Sequence, residues 1–108
     1  MDTIWRRMSD LSYVCEPGTC YGYQNSVFSL VDPLVEKATS KSYQAQVEQR
    51  IFEPLDMETA SLGYDAFINN PNHAEPHARR NGRWKTVPVQ KNYYRAAPAA
   101  GVNASILD

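Results

Sequence analysis

The longest run of apolar residues at helical spacing, Val27, Leu30, Val31, Leu34, Val35 and Ala38, carries Pro33 near its centre. Residues at i, i+3, i+4 and i+7 share one helix face, so the pattern predicts an amphipathic helix packed on a core. Asn25 or Ser26 is placed to cap it. Proline has no N–H to donate and clashes with the preceding turn, so the helix is expected to persist with a kink at Pro33, a later start being the alternative. Thr39-Ser40-Lys41 ends this element. Ser42 then caps a second helix that turns Tyr43, Val47, Ile51 and Phe52 inward, and Pro54 stops it. Ahead of both, Ile4, Trp5, Met8 and Leu11 predict one or two helical turns within residues 1–12.

Downstream the text is rich in breakers, with Gly63 and the loop string Asn69-Asn70-Pro71-Asn72. Asn81-Gly82 lies between two short polar runs. A type I′ turn needs positive φ at both central residues, so this dipeptide predicts a β-hairpin over residues 77–89. Arg79, Arg80, Arg83 and Lys85 then sit on a solvated hairpin, with Tyr93 or Tyr94 covering its base. The small-residue stretch from Ala96 to Val102 is not expected to be helical throughout. Asn103-Ala104-Ser105-Ile106-Leu107-Asp108 reads as a cap and the first turn of a helix. A helix begun so late buries nothing by itself, so the expectation is a single domain over 1–108 that is a piece of something longer. The fold class expected is mainly α, of the α+β kind, with one short hairpin.

At 108 residues, eleven basic groups stand against twelve acidic ones, a net charge of −1. That balance lacks the basic excess of a phosphate-driven nucleic-acid binder. No apolar run approaches the ~18–20 residues of a membrane span. Neither nucleic acid nor membrane is therefore an expected partner. Cys15 and Cys20 bracket Glu16-Pro17-Gly18-Thr19, and a disulfide requires the turn to bring their Cα atoms within ~7 Å. Two cysteines cannot complete a four-ligand zinc site. His73 and His77 flank Glu75, but Pro71 and Pro76 break any helix that would align them, so they read as loop residues. No metal and no cofactor are expected.

From Glu16 to Ser26 the sequence resembles the class C β-lactamase group of penicillin-recognising serine hydrolases, which also holds related carboxypeptidases and esterases. A Pro-Gly-Thr turn, a short gap, then Tyr-x-Asn opening a helix is that group's second active-site motif, matched here by Pro17-Gly18-Thr19, Tyr23 and Asn25. The likeness continues through Phe28-Ser29-Leu30-Val31, Lys41-Ser42-Tyr43, and Phe52-Glu53-Pro54-Leu55-Asp56-Met57. It ends in the glycine-led string from Gly101 to Asp108. Ser40 and Asp56 stand where glycines are usual, and a non-glycine residue in a left-handed cap costs about 1 kcal/mol. The resemblance implies the helical subdomain of a β-lactamase/transpeptidase-like fold, partnered by an α/β domain and acting in the periplasm or outside the cell.

The other two motifs of the family have no match. Three positions before Lys37, Lys41, Lys85 and Lys91 stand Leu34, Ala38, Gly82 and Pro88, so there is no Ser-x-x-Lys. Lys85-Thr86-Val87 is the nearest string to Lys-Thr-Gly, and Val87 would block a substrate from the backbone. A phenol is a weak base at neutral pH unless cations favour its phenolate. In the family two lysines from those motifs supply that field. The resemblance therefore makes Tyr23 the catalytic proton-transfer residue and Asn25 the substrate-binding amide of a parent enzyme, while the chain alone, lacking a nucleophile, is expected to be inactive. As bare residues, Tyr23 would be a half-buried aromatic and Asn25 an N-cap; Tyr21 offers a second register that fits the spacing from Pro-Gly-Thr less well.

The reaction implied first is hydrolysis of a β-lactam through a serine acyl-enzyme. An esterase or a D-amino-acid peptidase of the same fold is the alternative, so the substrate is a small β-lactam, ester or peptide. A stand-alone binding module without catalysis is the reading from a different class. Stripped of the partner domain, an apolar face of the chain is expected to drive self-association.

Overall fold

The computed structural model describes residues 6–108, so the helical turns expected at Ile4 and Trp5 lie outside the described residues. A 3-10 turn at Met8–Asp10 is followed by an irregular stretch up to α1 (Asn25–Phe28) and α2 (Val31–Thr39). Next come α3 (Tyr43–Val47), which runs on into a π-helical segment at Glu48–Phe52, then β1 (Ser61–Leu62) and α4 (Tyr64–Asn69). The chain finishes with β2 (His77–Arg80), β3 (Arg83–Thr86), a 3-10 segment (Lys91–Ala96), α5 (Ala97–Ala100) and β4 (Val102–Asn103).

Pro33 splits the expected helix rather than kinking it. With no N–H at position 33, the Ser29 carbonyl accepts from Asp32 in a tighter turn, and α2 restarts with Pro33 inside its first turn. There a missing donor costs little. Asn25 and Ser26 are not the cap: Gln24 occupies that position without a side-chain bond, and Asn25 is the first helical residue. Ser42 does cap α3, its Oγ accepting from the Ala45 N–H at 3.2 Å.

The π-helical segment explains why Ile51 is not inward. The Glu53 N–H reaches back five residues to the Glu48 carbonyl, at 2.9 Å. Each such step inserts one residue into the turn and rotates the buried face. Phe52 thereby takes the place beneath Val47 that Ile51 would hold in an α-helix; Phe52 is 6% exposed and Ile51 45%. The core is Val47, Phe52 and Leu62, with Tyr43, Met57, Ala60 and Ala97 packed against it.

The hairpin forms as expected, with Arg80 opposite Arg83 and Asn81-Gly82 both at positive φ. A second antiparallel pair corrects the count of one: Ser61 faces Asn103 and Leu62 faces Val102. Asn103 is thus a strand residue and not a cap. Its amide donates to the Gly63 carbonyl at 3.2 Å and accepts from the Tyr94 hydroxyl at 3.0 Å. Tyr94 packs on Tyr64, Phe67 and Tyr93 rather than under the hairpin. Residues 106–107 form only a turn, with the Leu107 N–H on the Ser105 hydroxyl.

Ser40 and Asp56 adopt φ of 55° and 54°. The sites where the family favours glycine are left-handed here too. The chain exposes 9000 Å², where a compact monomer of this mass would expose roughly 6,000 Å². Its radius of gyration is 17.0 Å, against about 13 Å for a compact chain of this length.

Candidate functional site

The approach to the Tyr-x-Asn segment begins at a tight turn. Pro17 and Gly18 occupy its centre, Gly18 at φ 84°, and the Thr19 N–H and Oγ1 both donate to the Glu16 carbonyl, at 3.0 and 2.7 Å. Proline followed by a residue at positive φ is the type II arrangement, which glycine fills without strain. A Cys15–Cys20 disulfide closes this loop, with the Cα atoms 6.4 Å apart. An extended run from Cys20 to Gln24 then carries the chain into α1.

Tyr23 is 76% exposed at the end of that run, so it is not the half-buried aromatic that a purely structural role would need. Asn25, one turn-entry later, is exposed as well. Among the described residues neither the Tyr23 hydroxyl nor the Asn25 amide is hydrogen-bonded, although Tyr94 and Asn103, a similar pair, bind each other. Both side chains line an open depression of about 490 Å³ together with Tyr21, Val27 and Phe28. Its far side is Pro98 and Ala99 of α5. A second depression, of about 390 Å³, lies across Gln24 and is lined by Arg7, Met8, Leu11 and Val27.

Asn25 is held from behind. Ser29 is 1% exposed, and its Oγ and N–H both donate to the Asn25 carbonyl, at 2.7 and 2.9 Å. This anchor was missed in the sequence, where only the i, i+4 spacing of a serine that can bond back along a helix signals it. The Pro98–Ala99 wall was missed as well, because it comes from the far end of the chain. Gly101 makes that wall possible: a Cβ there would lie 2.8 Å from both the Cα and the carbonyl oxygen of Ala97.

Away from these depressions, Asp32 and Glu36 of α2 lie near Tyr43 of α3. Burial and then Glu36 push the Asp32 carboxyl up, and burial and then Asp32 push the Tyr43 phenol up. His73 and His77 each bond a nearby backbone carbonyl, and His73 also packs on Phe67. No group of three or more metal-ligating side chains converges among the described residues.

Residues 1–108 match the sequence profile of the Beta-lactamase family. The chain belongs to that family. Its members are serine hydrolases that include class C β-lactamases and penicillin-recognising enzymes, and the mixed α+β architecture accords with that fold. A D-aminopeptidase of Brucella anthropi is 41% identical over 60 residues, which are 56% of this chain and 11% of the relative. A D-aminopeptidase of Brucella ovis is 39% identical over 54 residues, 50% of this chain and 10% of the relative. The matched stretch thus spans about a tenth of the length of these curated relatives. No helix among the described residues of this β-lactamase-family chain is long and apolar enough to cross a membrane.

Proposed function

We propose that this chain is the helical subdomain of a serine hydrolase that cleaves amide bonds through an acyl-enzyme. In this reading Tyr23 moves protons and Asn25 binds the substrate's amide. The carrying observation is that both side chains stand exposed and without internal partners on one depression, while the Asn25 backbone is fixed by Ser29. The excess surface of the chain, 9000 Å², supports a subdomain covered by a larger α/β partner. That partner supplies a Ser-x-x-Lys helix and a Lys-Thr-Gly or Lys-Ser-Gly strand.

The serine hydroxyl attacks the substrate carbonyl, and its proton passes through Tyr23 to the leaving amine as the carbon–nitrogen bond breaks. Water then enters by the reverse path, and the ester to serine is hydrolysed. Asn25 holds the acyl-side amide during both steps. The likeness to proteins named D-aminopeptidase favours a peptide beginning with a D-amino acid; the Tyr-x-Asn motif in its class C setting favours a β-lactam. A periplasmic or secreted site goes with either, since a Cys15–Cys20 bridge persists there.

The test is hydrolysis of a D-alanine anilide and of a chromogenic cephalosporin by the purified full-length protein. Turnover of either, with covalent labelling of a serine by a fluorescent penicillin, is expected. Faster cleavage of a simple aryl ester would select the esterase. Failure to hydrolyse any of the three, without labelling, overturns the proposal. The 108-residue chain alone is expected to turn over none of them, and turnover that co-purifies with it would equally overturn this account.

A further inference from the structure

The hairpin carries charges that nothing nearby balances. In its register Arg80 is directly opposite Arg83, and Lys85 is opposite Ala78. Alternation along the strands puts Arg80, Arg83 and Lys85 on one face, and Arg79 beside Trp84 on the other. All five of these large side chains are exposed. Among the described residues the one ion pair is Lys91 with Asp65, and no hairpin cation donates a side-chain hydrogen bond. Like charges directly opposite each other weaken a β-pair. The hairpin therefore bears a cost that its own fold does not repay.

The opposite charge is gathered elsewhere. Residues 77–85 hold four basic groups and no acidic one, which leaves seven basic against twelve acidic groups in the rest of the chain. Four of those acids, Glu48, Glu53, Asp56 and Glu58, line one open depression of about 470 Å³. Phe52 and Met57 supply apolar surface between them. The four do not converge tightly enough to hold a metal ion, so their charge suits a broad cationic surface.

We propose that the β2–β3 hairpin of one copy docks by Arg80, Arg83 and Lys85 into the acidic depression lined by Glu48, Glu53, Asp56 and Glu58 of a second copy. A long polyanion would be repelled by the acidic remainder of the chain. A second copy meets no such barrier, because the net charge is only −1 while each copy is strongly polarised. The two patches are different surfaces, so the contact is heterologous; two copies close on each other if both contacts form, and otherwise extend. This inference is independent of the catalytic reading.

Sedimentation of the 108-residue chain, to which the −1 net charge and both patches belong, tests it. Association is expected at low salt and is expected to disappear near about 1 M salt, where the Debye length is ~3 Å. The double variants Arg80→Glu/Arg83→Glu and Glu53→Lys/Glu58→Lys should each weaken association by about tenfold or more. An equimolar mixture of the two should restore it, since each then carries the complement of the other. All four substitutions are at exposed positions, and unchanged melting verifies that both variants fold. A monomer at low salt overturns the proposal. So does association that survives both charge reversals and high salt, which would locate the contact on the exposed apolar surface, and so does a mixture that fails to re-associate.

Discussion

The buried hydroxyl of Ser29 donates to the carbonyl oxygen of Asn25 at 2.7 Å, one helical turn back along α1. Because the Ser29 N–H reaches the same oxygen at 2.9 Å, that carbonyl is doubly held. A four-residue helix has little stability of its own. The Asn25 backbone is therefore positioned by the one polar side chain of the segment that is fully buried, while its side-chain amide makes no hydrogen bond among the described residues.

Replacing Ser29 by alanine removes one of the two bonds without orphaning the carbonyl. The expected loss of stability is about 1 kcal/mol, read from urea unfolding. In the full-length enzyme KM should rise more than kcat falls, because Asn25 is loosened while Tyr23 is not. An equal loss in both would mean that Ser29 does not act through Asn25.

Tyr23→Phe removes only a hydroxyl that is solvent-facing and unpartnered, so folding should be unaffected. Proton transfer by a positioned side chain contributes roughly 10²–10⁴-fold to rate, and kcat should fall within that range. Asn25→Ala should instead raise KM. Melting curves superimposable on the parent would separate these effects from unfolding.

What was legible in the sequence was local. The Ser42 cap and the Asn81-Gly82 hairpin each follow from a few neighbouring residues, while the left-handed sites at Ser40 and Asp56 were marked by the family likeness, which has glycines there. Tyr23 and Asn25 were singled out by a short motif of the family likeness, and their roles rest on that likeness. What was not legible depends on longer reach or on competing hydrogen bonds. The β1–β4 pairing joins residues some forty positions apart, so no pattern in either segment announces it. Ile51 was expected inward because 3.6-residue periodicity was assumed through a segment whose bonds run i to i+5. The Gln24 cap escaped because glutamine is a weak capping residue, and here its side chain makes no capping bond.

Ser40→Gly and Asp56→Gly should each stabilise the chain. Both residues sit at φ near 55°, where a Cβ costs roughly 1–2 kcal/mol. Neither side chain makes a hydrogen bond among the described residues that would be lost. Part of the gain is offset by the greater freedom of glycine in the unfolded chain, which leaves about 0.5–1 kcal/mol. A fall in melting temperature for both would show that the left-handed geometry is not strained.

Asp108 ties the last residue to Thr59. The Thr59 hydroxyl and the Ser105 N–H, with the Thr59 N–H, donate to its carboxylate and hold its pKa well below the usual carboxylate range. Its folded pKa is lower than its unfolded one, so the contribution is complete above the unfolded value of ~3.9 and is lost as pH falls through the folded value. Asp108→Asn should therefore be less stable than the parent from pH 5 to 8, and the gap should close in strong acid. A gap that widens on acidification would reverse the sign and refute the assignment.

Gly101 joins the wall of the site to the sheet. Its N–H bonds the Ala97 carbonyl at 2.9 Å and ends α5, and its own carbonyl accepts from the Gly63 N–H at 2.9 Å. A Cβ would come to 2.8 Å of the Ala97 Cα and carbonyl oxygen, which are backbone atoms that cannot rotate aside. Gly101→Ala should cost about 1–3 kcal/mol. To relieve the clash α5 must shift away, carrying Pro98 and Ala99 with it and breaking the register of Leu62 with Val102. Amide exchange should then quicken at Gly63 and Val102 before it does at the Ser42-capped helix, and substrate binding at the Tyr23–Asn25 depression should weaken in parallel. Exchange that rises evenly across the chain would instead show that the glycine serves the fold as a whole and not the wall of the site.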